Sequence, residues 1–410
     1  MGRQLLRETD DAAHGEGVHH HPRRRRRDRV PGRTQDPPPH RHHRRREPCS
    51  RFHRRQRRHL RGGVPVRRGE EAGPYHGGAV RAHRRIVQHA VPSRHQACGT
   101  DGGPGPAVKR VLVCGSNGLL GQHLALLFHR TPGTEVLHTS RQRSFILSGM
   151  MADYTQLDLE VRGDVKSLVT SYRPDVIVNA AAMSNVDACE TERESAWRAN
   201  VTAVEHLVEA ARRIGAKLVH LSTDYVFDGR TGSYGEGDRP NPVNYYGRTK
   251  LAGENAVLAG GVPYAILRTQ LLYGVGVNVK SDFGLWAVRQ LRSGAVIRCA
   301  DDQICNPTAV TDLAAAVRTA ALGEASGVFH VSGPEPLSRY GFALIAAGVF
   351  GYDASLITKV RSADLVQKAV RPLNTSFSIA KARAALDYHP MTAAQGLEEM
   401  RRELTGISLN

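Results

Sequence analysis

Tyr246 and Lys250 stand four residues apart in Tyr245-Tyr246-Gly247-Arg248-Thr249-Lys250-Leu251-Ala252-Gly253-Glu254. On a helix that spacing puts both side chains on one face. A free phenol, with a pKa of about 10, is a poor acid–base group at neutral pH. A cation one turn away favours the phenolate and lowers that pKa. Such a tyrosine can donate a proton to a carbonyl oxygen as hydride arrives at carbon, while the lysine can also hold the ribose of a nicotinamide cofactor. Thr223 lies 23 residues earlier, in Ser222-Thr223-Asp224-Tyr225-Val226-Phe227-Asp228-Gly229. At the end of a strand, its hydroxyl can hydrogen-bond the same oxygen. The Tyr-Lys spacing alone also suits an ordinary amphipathic helix, so the reading depends on what surrounds it.

Hydride needs a carrier. Residues 115–121 read Gly-Ser-Asn-Gly-Leu-Leu-Gly, directly after the apolar run Val111–Cys114. Gly115 permits a tight turn, Gly118 lets the backbone approach a pyrophosphate, and Gly121 lets helix and strand pack closely. The helix that follows offers unpaired N–H groups and a partial positive charge to phosphates. Glycines are common in turns, but the strand–turn–helix setting is the one dinucleotide binding requires. The position after the second strand selects the cofactor. An acid there would hold the ribose hydroxyls of NAD. The chain has Thr139-Ser140-Arg141-Gln142-Arg143, with no acid. Ser140 and Arg141 could hold a 2′-phosphate, which favours NADPH and leaves NADH as the alternative. The competing reading is that these arginines are merely solvated. Asp158 sits where an adenine-binding aspartate is expected, and the small residues of Asn179-Ala180-Ala181-Ala182 would let a cofactor lie against the backbone.

Elements must place these residues. Strands are expected at Val111–Cys114, Val136–Thr139, Asp175–Asn179, Lys217–Ser222 and Tyr264–Arg268. Helices are expected from Leu119 to about His129, and at Val165–Ser171, Glu194–Ile214 and Asn244–Leu258. Strands alternating with helices imply an α/β fold: a Rossmann-type, doubly wound parallel sheet. After residue 270 the pattern loosens into short helices (Phe283–Leu291, Thr311–Ala321, Tyr340–Val349, Ile379–Ala385) among short strands and loops. The expected organisation is a leader over 1–106, an NAD(P)-binding core over 107–270 and a smaller, mainly substrate-binding subdomain over 271–410.

The leader differs from the rest. The whole chain carries a formal charge of +18, and residues 1–106 hold 25 Arg, no Lys, 13 His and only 10 acidic residues, an excess of 15 positive charges. Runs such as Arg23–Arg27 repel themselves, and apolar residues are too sparse to offset the entropy of ordering. The leader is expected to be disordered and dispensable, and arginine without lysine is what a GC-rich non-coding frame would give. The alternatives are a nucleic-acid arm binding phosphates non-specifically and a targeting segment, although no apolar stripe is present. The six cysteines show no CxxC pair and no metal-ligand spacing. No apolar run is long enough to span a bilayer. A reducing, cytoplasmic setting is expected; a homodimer is compatible with all of this.

These strings resemble the extended short-chain dehydrogenase/reductase superfamily, and within it the dTDP-4-dehydrorhamnose reductases. The resemblance covers residues 108 to about 405. It rests on the segments of Thr223 and Tyr246 quoted above, on Arg173–Ala182, on Asp302-Gln303 with Pro307-Thr308, and on Arg371-Pro372 with Asn374. It implies Thr223, Tyr246 and Lys250 as the catalytic trio. It implies Gly118, Leu119, Leu120, Asp158, Leu159, Ala181, Ala182, Met183 and Leu221 along the cofactor. Thr223 and Asp224 would touch a nucleotide-linked sugar, with Asp302, Gln303 and Arg371 in the substrate-binding half. The family often has a Trp shortly after the Arg-Thr pair at the sixth strand, whereas Arg268-Thr269 is followed here by Gln270-Leu271. Sugar 4,6-dehydratases follow the catalytic Thr with Asp-Glu; here Tyr225 follows Asp224, so the machinery for eliminating water is incomplete and carbonyl reduction remains. A regulatory subunit of methionine adenosyltransferase is also similar, which keeps a non-catalytic partner protein open as a second reading, and a sugar epimerase is a third.

Overall fold

In β1 (Lys109–Cys114), Val111 and Val113 face one hydrophobic cluster while Leu112 and Cys114 face another, and all four are fully buried. A strand apolar on both faces must lie between two layers of helices, the usual condition of a parallel sheet. The computed structural model describes residues 108–406 apart from 148, 149 and 151, all within the unit Ala79–Asn410. The expectations for the leader lie outside the described residues.

After β1 come α1 (Leu119–His129), β2 (Thr134–Ser140), β3 (Asp153–Gln156), α2 (Arg162–Tyr172), β4 (Val176–Asn179), α3 (Val186–Thr191), α4 (Arg193–Trp197), α5 (Ala203–Ile214), β5 (Lys217–Thr223), α6 (Tyr245–Leu258) and β6 (Tyr264–Thr269). They are followed by β7 (Leu272–Tyr273), α7 (Phe283–Arg292), β8 (Ile297–Ala300), β9 (Ile304–Cys305), β10 (Thr308–Ala309), α8 (Val310–Leu322), β11 (Gly327–His330), β12 (Leu337–Ser338), α9 (Arg339–Phe350), β13 (Ile357–Val360), α10 (Ala380–Leu386) and α11 (Ala393–Gly406). Among the described residues no helix is long and apolar enough to cross a membrane.

Seven strands form one sheet in the order β11-β6-β5-β4-β1-β2-β3, with every neighbouring pair parallel. This is the doubly wound Rossmann-type sheet expected from the alternation of strands and helices. The strand order reverses between β1 and β4. Connections leave those strands in opposite directions, so a crevice opens at their carboxyl ends. One face of the sheet packs on α1, α8 and α10 through Leu124, Phe128, Val317 and Leu386. The other packs on α2 and α5 through Val165, Val169, Val204 and Leu207.

The chain beyond residue 270 has two destinations. Part of it returns to the sheet as β11, with α8 and α10. The rest gathers α7, α9 and α11 around Tyr273, Leu285, Phe342 and Leu397. The single helix expected over Glu194–Ile214 is interrupted. A π-helical turn, Arg198–Thr202, joins α4 to α5. A π turn carries one more residue per turn than its neighbours, so it re-aims the side chains it contains, and such turns often sit at functional sites.

Candidate active site

Gly115 ends β1 with φ +88°, and a Cβ there would stand 2.8 Å from the Ala181 nitrogen. A Cβ on Gly121 would collide with the Gly115 carbonyl and lie 2.5 Å from Ser116 Cα. Only glycine lets strand, turn and helix pack this closely. Gly118 caps α1 in an extended conformation without a side-chain bond. The first-turn N–H groups of α1 are therefore left for a ligand. Asn117 fixes the far side of the turn, its amide donating to Ser140 Oγ at 3.1 Å and to the Ser144 carbonyl at 2.9 Å.

A cleft of about 770 Å³ runs along the carboxyl ends of β1, β2 and β4. Gly115, Gly118, Leu119, Ser140 and Arg141 line it, together with Asp158, Leu159, Ala181, Ala182 and Met183. The glycine turn, which brings bare backbone at Gly115 and Gly118 to the cleft with a helix N-terminus behind it, fits a dinucleotide pyrophosphate. Arg141 is 72% exposed at the rim and shares a loose ion pair with Glu160, 3.8 Å away. Asp158 Oδ1 accepts from Glu160 N at 3.0 Å. Ser140 already accepts from Asn117 and Gln142 N, and its hydroxyl meets Tyr154 Oη at 2.7 Å. Leu120 is the departure: its side chain is buried in the hydrophobic cluster beneath the sheet. An apolar side chain one position into α1 rotates toward the sheet, so only its backbone is available to a ligand.

The expected trio meets where β5 ends against α6. Thr223 is buried at the strand end, its hydroxyl donates to Asp224 at 3.0 Å, and it is near enough to the Tyr246 phenol to influence its titration. Lys250, one turn along α6, is buried and donates from Nζ to the Leu221 carbonyl at 2.6 Å. Leu221, expected along the cofactor, is not among the residues lining the cleft, and its carbonyl is taken by Lys250. Asn244 starts the helix by accepting from Gly247 N at 2.8 Å. The titrations differ from the simple Tyr-Lys expectation. Burial pushes the Tyr246 phenol up, against the pull of the Thr223 hydroxyl, and Asp224 pushes it further up. The Lys250 ammonium is pushed down to about 8 by burial, while Glu254 opposes the fall. Desolvation is the largest influence on both groups. The phenol is therefore kept protonated, which suits a proton donor.

Asp224 is buried beside Thr223, and its two carboxylate oxygens accept from Thr223 Oγ1 at 3.0 Å and from Thr375 Oγ1. Burial raises its carboxyl to about 6, and both hydroxyls oppose that rise. The other expected substrate residues are engaged within the protein. Asp302 accepts from Ser362 N at 2.9 Å and from its hydroxyl. Gln303 donates to Ser362 Oγ and to Gln367 Oε1, both at 3.0 Å. Arg371 forms a bidentate pair with Asp187, at 3.0 and 2.9 Å. The structure brings Thr223, Asp224, Tyr246 and Lys250 together; Asp302, Gln303 and Arg371 pin the segment 362–376 alongside them.

Two residues escaped the sequence reading. Asn200, in the π turn, is buried; it accepts from Met183 N, donates to Met183 O, and donates to Thr249 Oγ1 at 3.0 Å. It ties the end of the cleft to the helix of Tyr246 and Lys250. A lone amide inside an amphipathic stripe was the available signal. Gln270, met in the sequence only as a departure from the family pattern, is the second: its amide donates to the Thr375 carbonyl and its oxygen accepts from Asn306 N. Leu271 follows at φ +30°, a strained conformation for a branched residue.

The RmlD substrate binding domain family model matches residues 109–405. A dTDP-4-dehydrorhamnose reductase of Aggregatibacter actinomycetemcomitans is 32% identical over 305 residues, covering 71% of this chain and 98% of that protein. The methionine adenosyltransferase 2 subunit beta of Danio rerio is 32% identical over 281 residues, covering 67% of this chain and 84% of that protein. Among solved structures, a dTDP-4-dehydrorhamnose reductase of Bacillus anthracis in complex with NADP superposes with a TM-score of 0.64 and 29% identity, covering 72% of this chain and 99% of that one.

Proposed function

Since the chain belongs to the RmlD substrate binding domain family and is an oxidoreductase of the extended short-chain type, we propose that it uses NADPH to reduce the 4-keto group of a nucleotide-linked deoxysugar, as in dTDP-L-rhamnose synthesis. The observation that carries this reading is the junction of β5 and α6, where a phenol kept protonated by burial lies near the buried Thr223 hydroxyl. NADPH supplies hydride when bound. The glycine turn and the first turn of α1 would hold its pyrophosphate, Arg141 its 2′-phosphate, and Lys250 its nicotinamide ribose. Tyr246 gives its proton to the carbonyl oxygen of the sugar, which Thr223 orients. Asp224 holds the Thr223 hydroxyl in place and faces the sugar. The buried, unpaired Cys114, Cys189, Cys299 and Cys305 suit a reducing, cytoplasmic compartment.

The likeness to methionine adenosyltransferase 2 subunit beta favours a second reading, an NADP-binding partner protein without turnover. One experiment separates the two. NADPH consumption is followed with a panel of nucleotide-linked 4-keto sugars, using Tyr246→Phe as the comparison. Reduction of one of them is expected, with turnover falling about 10²–10⁴-fold in Tyr246→Phe while NADPH still binds. NADPH binding without any ketone-dependent oxidation would favour the partner-protein reading.

A further inference from the structure

A buried ion pair lies one turn below the reacting groups, and no step described above uses it. Glu254 is fully buried on α6, four residues beyond Lys250. Its Oε1 accepts from Arg268 Nε at 2.9 Å and from Ser222 Oγ at 2.5 Å, and its Oε2 accepts from Arg268 Nη2 at 2.7 Å. Arg268 is also enclosed. Its guanidinium lies 5.2 Å from the Phe227 ring centroid, and Nη1 faces His330 Nε2 at 3.4 Å. His330 is held neutral, its imidazole pushed down to about 3 by burial and by Arg268.

The anchors are placed with unusual economy. Ser222 and Arg268 are cross-strand neighbours in β5 and β6, and the next pair in register is Thr223 and Thr269. One carboxylate therefore ties α6, which carries Tyr246 and Lys250, to the last residues before Thr223. Stability alone is a poor reason for such a pair, because desolvating two charges often costs as much as their attraction returns. What a fully bonded carboxylate does provide is register: α6 cannot slide or rotate without breaking three bonds.

We propose that Glu254 is a positioning residue, which through Ser222 and Arg268 sets Tyr246 and Lys250 against Thr223. The proposal rests on the reductase reading above. Glu254 has a second effect, through charge. Lys250 is faced by His220 and the Leu221 carbonyl from β5 and by Glu254 from its own helix, on which Tyr246 lies one turn earlier. Among these, Glu254 is the group whose negative charge keeps the ammonium protonated against burial. Removing that charge lowers the pH at which Lys250 loses its proton.

The test uses the full chain and three variants. Glu254→Gln removes the charge and keeps the shape, Glu254→Asp keeps the charge, and E254M/R268M replaces the pair with apolar side chains. NADPH affinity is titrated by fluorescence across the neutral-to-alkaline range. The pH profile of kcat is measured with a keto sugar that the unaltered protein accepts, and thermal unfolding confirms the fold. In Glu254→Gln the alkaline limbs of affinity and rate are expected to move down by about one pH unit; in it and in the double variant, which removes one charge of each sign, kcat is expected to fall about tenfold. Glu254→Asp keeps the limb near its original position. A folded Glu254→Gln with an unchanged limb, or a folded double variant with unchanged kcat, overturns the proposal. Should all three variants fail to fold, Ser222→Ala decides: it removes one bond and leaves no charge unpaired. A fall in kcat of about threefold or more at unchanged NADPH affinity upholds positioning, and an unchanged kcat overturns it. The affinity titration needs no keto sugar. Absence of turnover in the unaltered protein therefore counts against the functional reading, and the limb of the affinity profile still decides Glu254.

Discussion

Asn200 grips the backbone of Met183 at both of its polar atoms, accepting from the amide at 2.9 Å and donating to the carbonyl at 3.1 Å. The same amide nitrogen donates to Thr249, whose hydroxyl in turn donates to the Tyr246 carbonyl at 2.8 Å. The wall of the cofactor cleft and the catalytic helix are thus held to one side chain, and the π turn is what aims it inward. Asn200→Ala leaves the Met183 amide and carbonyl without their partner. We expect a loss of about 2–3 kcal/mol in denaturant unfolding and weaker NADPH binding. Unchanged stability and affinity would show that the grip is incidental.

Most of the nucleotide-binding half was legible because its signals are local. Apolar runs marked β1, β4, β5 and β6, and the glycines marked the turn after β1. The elements that were missed owe their places to contacts distant in sequence. β3 reads Asp-Tyr-Thr-Gln, with no buried residue, and is a strand only because β2 pairs with it at the sheet edge. β11 is a four-residue segment that joins the sheet beside β6 from some 60 positions later in the chain. The expected helix over Glu194–Ile214 was right in its apolar stripe and wrong in its continuity, since a π turn leaves no mark on that stripe. Asp302, Gln303 and Arg371 carry the resemblance to the family, but spacing could not show that Ser362, Gln367 and Asp187 already occupy their polar groups.

Activity should pass through a maximum between the two buried titrations of the site. Asp224, raised to about 6 by burial, must be a carboxylate to accept from both Thr223 and Thr375. Lys250, lowered to about 8 by burial, loses its ammonium above that pH. We therefore expect kcat/KM to fall below about pH 6 and above about pH 8, and the acid limb to vanish in Asp224→Asn. Stability follows with its own signs. A carboxyl raised on folding costs stability as pH climbs from the ordinary carboxylate range through about 6. A lysine lowered on folding returns stability as pH climbs from about 8 toward its ordinary value of 10.5. A rate profile flat through both regions would remove Asp224 and Lys250 from these roles.

Arg141 should discriminate between the two nicotinamide cofactors. It is well exposed at the cleft rim, and its one ion pair among the described residues, with Glu160, is too long and too solvated to hold it. It is free to swing onto a 2′-phosphate, which NADPH has and NADH lacks. Arg141→Ala is expected to weaken NADPH about tenfold or more, the usual worth of a charge-assisted hydrogen bond, and to leave NADH nearly unchanged. Equal losses for both cofactors would show that Arg141 does not read the phosphate.

The last prediction separates two glycines that a sequence motif treats alike. At Gly121 the three atoms nearest an added Cβ are all backbone: the Gly115 carbonyl oxygen, Ser116 Cα at 2.5 Å and the Ser116 carbonyl carbon at 2.7 Å. No rotamer change can relieve a clash between main chains, so α1 would have to move away from β1. Gly121→Ala is expected to destabilise the fold by about 2 kcal/mol or more, seen as a lower Tm, and to abolish cofactor binding as a consequence. Gly118 is different. Among the described residues a Cβ there meets only the Gly115 carbonyl, at 3.3 Å, and its φ of −76° suits any residue. Gly118→Ala should therefore fold with nearly the original Tm. Its methyl group, however, enters the approach from the cleft to the first turn of α1, where a pyrophosphate must come close to the backbone. NADPH affinity is expected to fall while stability holds. Thermal unfolding and cofactor titration of both variants decide the matter. Similar losses of stability in both would show that Gly118 serves the packing of the turn, and undiminished NADPH binding in Gly118→Ala would place the pyrophosphate elsewhere.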